Sequence, residues 1–144
     1  MTLSAEGSLF QFVSRATEDK YVSLGHGPDE AGVTIDPRDE GEVQNLISFA
    51  RSGARDMNIG LARLQPGMYH IKHHHPHGSE FYYVMTGRCT VHIAGLDVDA
   101  TPGTAIYIPP GHVHAVRNDS DLAVEFLYGL STGDYSDMGL EYDE

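Results

Sequence analysis

The chain has 144 residues, enough for one domain that encloses a core without disulfide help, and its single cysteine, Cys89, excludes an internal disulfide and fits a reducing compartment. A formal charge of −12, with only nine Lys and Arg scattered along the chain, excludes the basic face that nucleic acid or an anionic membrane would require. Tryptophan is absent while glycine (16) and proline (7) are frequent, which favours a turn-rich β architecture over a helical bundle.

In chain order, residues 1–42 read as an amino-terminal arm followed by early strands and loops. Leu9, Phe10, Phe12 and Val13 form an apolar cluster suited to an edge strand or to an arm that packs on a partner. Residues 21–24 read as a short strand, 25–29 as a loop, and 36–41, with its Asp-Pro and Glu-Gly pairs, as a turn. The start carries neither the basic region nor the long apolar run of a secretory signal, and no stretch approaches a membrane span, so the cytoplasm is the expected location. Val43, Leu46, Ile47 and Ala50 keep helical spacing, yet that run is short and ends in Ser52-Gly53. Residues 58–65 are a clearer strand, closed by Pro66-Gly67. Short strands follow over 69–75, 80–85, 90–94, 96–100, 105–108, 112–118 and 123–130, separated by Gly, Pro, Asn and Asp turns. Many short strands with no firm helix and no internal repeat argue for an all-β sandwich or small barrel. Residues 131–144 are polar and acidic and read as a tail that covers a neighbour or the barrel mouth. Charge concentrates there and in 29–42, which serves solubility.

Two stretches carry chemistry. The first runs from Gly67 to Gly87. In an extended strand His73 and His75 point one way and His74 the other. Pro76 and Gly78 then turn the chain, and Glu80 opens the neighbouring strand. Two imidazoles on one strand face, with a carboxylate across a short turn, are three corners of a metal site. Imidazole nitrogen with carboxylate oxygen suits Zn, Fe, Mn, Ni or Cu better than Ca or Mg. The second stretch, from Gly103 to Asn118, is a short apolar strand, a Pro-Gly turn and a strand carrying His112 and His114.

These stretches resemble the two conserved motifs of the cupin superfamily. Gly67, His73, His75, Glu80 and Gly87 match Gly-x5-His-x-His-x4-Glu-x6-Gly; Gly103, Pro109, Gly111, His114 and Asn118 match Gly-x5-Pro-x-Gly-x2-His-x3-Asn. The resemblance implies a cupin-type jelly-roll barrel over residues 43–130, with a strand at 43–50. It also implies one divalent transition metal (Fe, Zn, Mn, Ni or Cu) held by His73, His75, Glu80 and His114, and a homodimer. Of the other histidines, His74 belongs on the outer face, His77 lies in the turn at the cavity rim or in solvent, and His112 is at most a spare ligand.

Strand parity from the ligands places Tyr69 and Ile71 on the face of His73, Tyr82 and Val84 on that of Glu80, and Val116 on that of His114, with Tyr107, Phe126 and Tyr128 as further lining. The cavity is therefore expected to be mainly apolar. Arg63, Lys72, Arg88 and Arg117 are the only cations near the motifs, and Lys72 and Arg117 face outward, so small uncharged aromatic or carbonyl/enol substrates fit better than phosphorylated ones. The resemblance admits an Fe(II)-type dioxygenase, a redox-neutral Zn-type polyketide cyclase, lyase or isomerase, or a binding module without catalysis. Proton transfer in the redox-neutral case falls to Tyr69, Tyr82 or His77. The pocket arginine that cupin oxalate decarboxylases carry before the first histidine pair has no counterpart among His70, Ile71 and Lys72.

Overall fold

The computed structural model describes residues 12–17, 20–25 and 32–144. Residues 9–11 of the apolar amino-terminal cluster and most of the loop at 25–29 lie outside the described residues, and Phe12 and Val13 are exposed and belong to no strand. Eleven strands follow in order: β1 (Val22–Ser23), β2 (Glu42–Ile47), β3 (Asn58–Leu64), β4 (Tyr69–His74), β5 (Glu80–Thr86), β6 (Cys89–Ile93), β7 (Leu96–Ala100), β8 (Ala105–Ile108), β9 (His114–Arg117), β10 (Val124–Leu130) and β11 (Glu141–Tyr142). They build two antiparallel sheets, β1-β2-β3-β10-β5-β8 and β11-β4-β9-β6-β7.

The sheets face each other because their strands alternate. On β5, Glu80, Tyr82 and Val84 point inward and are buried, whereas Phe81, Tyr83 and Met85 point outward. Opposite them Val91 of β6 and Val116 of β9 are 1% and 0% exposed, and Leu64, Phe126 and Ile108 complete one apolar cluster. Each such side chain contributes about 1.5–3 kcal/mol by leaving water. The outward residues of β5, with Tyr107 on β8, leave an uncharged apolar band on the outer face beside β8, the edge strand of the six-stranded sheet among the described residues.

The structure adds to the sequence reading at both ends of the barrel. Residues 43–50 are not one strand: β2 ends at Ile47, and Ser48 caps a single helical turn, α1 (Phe49–Ser52), by accepting the Arg51 N–H at 3.2 Å. Gly53, at φ +67°, closes that turn. A bulge between Asn45 and Ile47 inserts one residue into β2, so strict alternation does not run through this stretch. The acidic tail is folded back on the barrel. It forms a second turn, α2 (Tyr135–Met138), and then β11, which pairs with β4 through Glu141↔His74 and Tyr142↔His73.

The motif glycines hold the turns that bring the two stretches together. Gly87 sits at φ +76°, and a Cβ there would run into the Ala123 carbonyl. Gly111 N–H bonds the His75 carbonyl at 2.8 Å, and Gly67 N–H bonds the Asn118 carbonyl at 2.8 Å. The turn also delays β9 to His114, two residues later than expected, because His112 N–H is taken by the Pro109 carbonyl.

Candidate metal centre

Four side chains converge between the sheets. His73 comes from β4, His75 follows it directly, His114 opens β9 and Glu80 opens β5; they are 1%, 3%, 0% and 8% exposed. Their nearest donor atoms all lie within 4.8 Å of one another. Glu80 Oε1 is 2.9 Å from His114 Nε2 and 3.5 Å from His75 Nε2, and the His73 and His114 rings are 4.2 Å apart.

Each imidazole is aimed by a backbone carbonyl. His73 Nδ1–H bonds Ile71 O at 2.7 Å, His75 Nδ1–H bonds Gly139 O at 2.9 Å, and His114 Nδ1–H bonds His112 O at 2.9 Å. With Nδ1 donating outward, all three rings turn Nε2 toward the centre, as second-layer hydrogen bonds do for ligating histidines. Burial, together with the neighbouring rings of His70, His114 and His75, pulls His73 well below its ordinary value and keeps it neutral. Burial by itself would raise the Glu80 carboxyl, but hydrogen bonds from His114 and His75 outweigh it and hold it well below the usual carboxylate range. Three imidazole nitrogens and a carboxylate are gathered around one buried point, and this donor set is compatible with one divalent transition metal.

Beside Glu80 lies a cavity of about 270 Å³ whose wall is mainly apolar, with Leu64, Ala62, Phe126 and Leu130 among its lining. Tyr82 and Tyr128 line it as expected. The Tyr82 hydroxyl, whose ionisation burial and the Glu80 charge push far above the ordinary range, has no hydrogen-bond partner among the described residues. Tyr107 does not line it: it is 66% exposed on the outer face of β8.

The parity argument for β4 fails at one point. A second bulge lies between His70 and His73, so that His70 pairs with Val116 and His73 with His114, two residues apart on β9 but three on β4. His70 therefore shares the inner face and lines the cavity, while Tyr69 pairs with Arg117 and turns out to bond Glu144 at 2.8 Å. Ile71 is buried but outside both the cavity lining and the main apolar cluster. His77 is exposed in the turn and does not line the cavity. His74 faces outward between Glu141 and Asp143, and His112 is exposed.

Among the cavity residues that escaped the sequence reading, three form one group. His70 was hidden by the bulge, Asp39 by the turn at 36–41, and Tyr142 by the tail. They are joined: His70 Nδ1 is 2.7 Å from Asp39 Oδ1, and the Tyr142 hydroxyl donates to Asp39 Oδ2 at 3.0 Å. Burial works against a charged His70, but Asp39 and Glu80 raise it above its ordinary value.

The cupin domain family model matches residues 60–129. The fold superposes on the polyketide cyclase RemF from Streptomyces resistomycificus with a TM-score of 0.69, covering 91% of this chain and 84% of that one at 18% identity. The chain belongs to the cupin superfamily. At that identity the likeness of this cupin to RemF carries the fold alone. Among curated relatives, the polyketide synthase protein CurC of Streptomyces cyaneus is 31% identical over 91 residues, 63% of this cupin and 59% of CurC. The dimethylsulfoniopropionate lyase DddW of Ruegeria pomeroyi is 30% identical over 104 residues, 71% of this cupin and 66% of DddW. The match thus spans less than two thirds of either relative.

Proposed function

We propose that this cupin is a metal-dependent enzyme that carries out redox-neutral chemistry, cyclisation or elimination, on a small, mainly apolar carbonyl or enol substrate. The observation that carries the reading is the position of the four-donor cluster at the wall of an apolar cavity, with Glu80 common to both. The names of the relatives, a polyketide synthase protein and a lyase, support the same class.

His73, His75, Glu80 and His114 would hold the ion, which when bound supplies Lewis-acid polarisation of a carbonyl. The apolar wall orders the substrate and excludes water, which strengthens every polar contact inside. Tyr82 presents its hydroxyl to the cavity as a hydrogen-bond donor for a developing negative charge on oxygen. Tyr69 and His77 stand outside the cavity in this arrangement, which leaves Tyr82 as the member of that group able to meet a substrate.

A second reading, an Fe(II)-type dioxygenase on the same substrates, is favoured by the donor set itself, since imidazole and carboxylate suit iron as well as zinc. Elemental analysis of protein purified without added metal, followed by assays under nitrogen with β-diketone and sulfonium substrates, separates the two. Turnover without oxygen supports the first reading. Iron with oxygen-dependent turnover replaces it with the second, and protein that binds no transition metal overturns both.

A further inference from the structure

His70 is held more elaborately than a packed core histidine needs to be. Its Nδ1 meets Asp39, which is 3% exposed and also receives the Ile71 N–H at 3.0 Å and the Tyr142 hydroxyl at 3.0 Å. Tyr142 is fixed in turn by the Asp36 N–H at 3.2 Å. Segments far apart in sequence, the loop at 36–39, β4 and β11, therefore cooperate to fix one imidazole. Because Asp39 can only accept, Nδ1 carries the hydrogen and Nε2 is the free end of the ring. Nε2 has no hydrogen-bond partner among the described residues, although the ring lines the cavity with Glu80 and Tyr82 and its centroid is 4.4 Å from that of His73. The ring is part-buried, with its side chain 20% exposed, so a molecule in the cavity can reach Nε2.

We propose that His70 is a substrate-binding residue: its Nε2 shares a hydrogen bond with the second oxygen of an enol, enolate or phenol whose first oxygen lies at the four-donor cluster. This rests on reading that cluster as a metal centre. The ligand class follows from the surroundings. Among the described residues the cavity wall holds no Lys or Arg to clamp a phosphate or sulfate, and its mainly apolar lining accepts a flat carbon skeleton, while two adjacent polar points, the cluster and His70, match two neighbouring oxygens on one molecule.

The test uses zinc-loaded protein titrated with 4-nitrocatechol, followed by the visible absorption of the probe, with zinc content measured for every variant. His70→Phe is expected to bind the probe at least tenfold more weakly while keeping its zinc. His70→Gln, whose amide reaches the place of Nε2, is expected to recover most of that loss, which a merely structural role would not predict. Long-range proton–nitrogen spectra of the wild type add a readout that needs no Phe variant: the probe should move one imidazole nitrogen resonance that is missing from His70→Gln. Probe affinity within twofold of wild type in His70→Phe, or equal weakness in the Phe and Gln variants with zinc retained, or an unmoved His70 resonance, overturns the assignment. A wild type that takes up no zinc overturns the metal-centre reading and the assignment with it.

Discussion

Asn118, a residue of the second motif, is fully buried yet is not one of the four donors. Its Nδ2 donates to the carbonyls of Leu64 at 2.9 Å and Leu122 at 2.8 Å, and its Oδ1 accepts the N–H and hydroxyl of Ser120. It is a strut between β3 and the turn that leads into β10. Asn118→Ala removes the donor to the buried Leu64 carbonyl, while the Ser120 hydroxyl still reaches that of Leu122, and is expected to cost about 1–3 kcal/mol in urea unfolding with metal content unchanged; a cost under about 0.5 kcal/mol would show the bond to be dispensable. Cys89 is 3% exposed, and burial together with Asp99 pushes its thiol up to about 11, far from a reactive thiolate. The four donors were legible because motif spacing survives any error in strand boundaries. His70 was not, since its inward turn depends on a register that only the pairing with β9 reveals.

Between strands, one titratable contact ties β2 to β3: Glu42 and Arg63 stand opposite each other and their side chains meet at 2.7 Å. The Arg63 hydrogen bond, offset in part by burial and assisted by Gln65, lowers the Glu42 carboxyl from its ordinary 4.5. A carboxyl lowered in the folded state contributes stability above its unfolded value, and that contribution disappears as pH falls through the lowered one. For a partly exposed pair it amounts to about 0.5–1 kcal/mol. Glu42→Gln should therefore be less stable than wild type at pH 7 and close to it near pH 3, as measured by denaturant midpoints at both; a constant difference across that range would refute the linkage. Both bulges belong to this scale as well. Alternation along one strand signals which residues share a face only while no residue is inserted, and the insertion after His70 accounts for the misplaced Tyr69.

At the scale of the molecule, a net charge of −12 makes copies repel except where a face carries no charge. The band of Phe81, Tyr83, Met85 and Tyr107 is such a face, and it adjoins β8, the edge strand among the described residues. A homodimer across this band is the expected state. Light scattering should give twice the chain mass, falling toward one chain in Tyr83→Lys; a wild type of single-chain mass at high concentration would refute it. The overall architecture was readable from the density of turns and the two motifs, and a tail covering the barrel mouth was among the expectations, whereas its pairing as a strand was not, because β11 is two residues long and owes its place to β4 and not to its own pattern.

The four donors do not all belong to one layer. Glu80 stands on the six-stranded sheet, while His73 and His114 stand on the five-stranded one and His75 directly follows it. The centre is thus a rivet through the sandwich: prising the sheets apart at that end and dismantling the donor set are one and the same motion, so that breathing of the barrel and loss of its chemistry share a single coordinate.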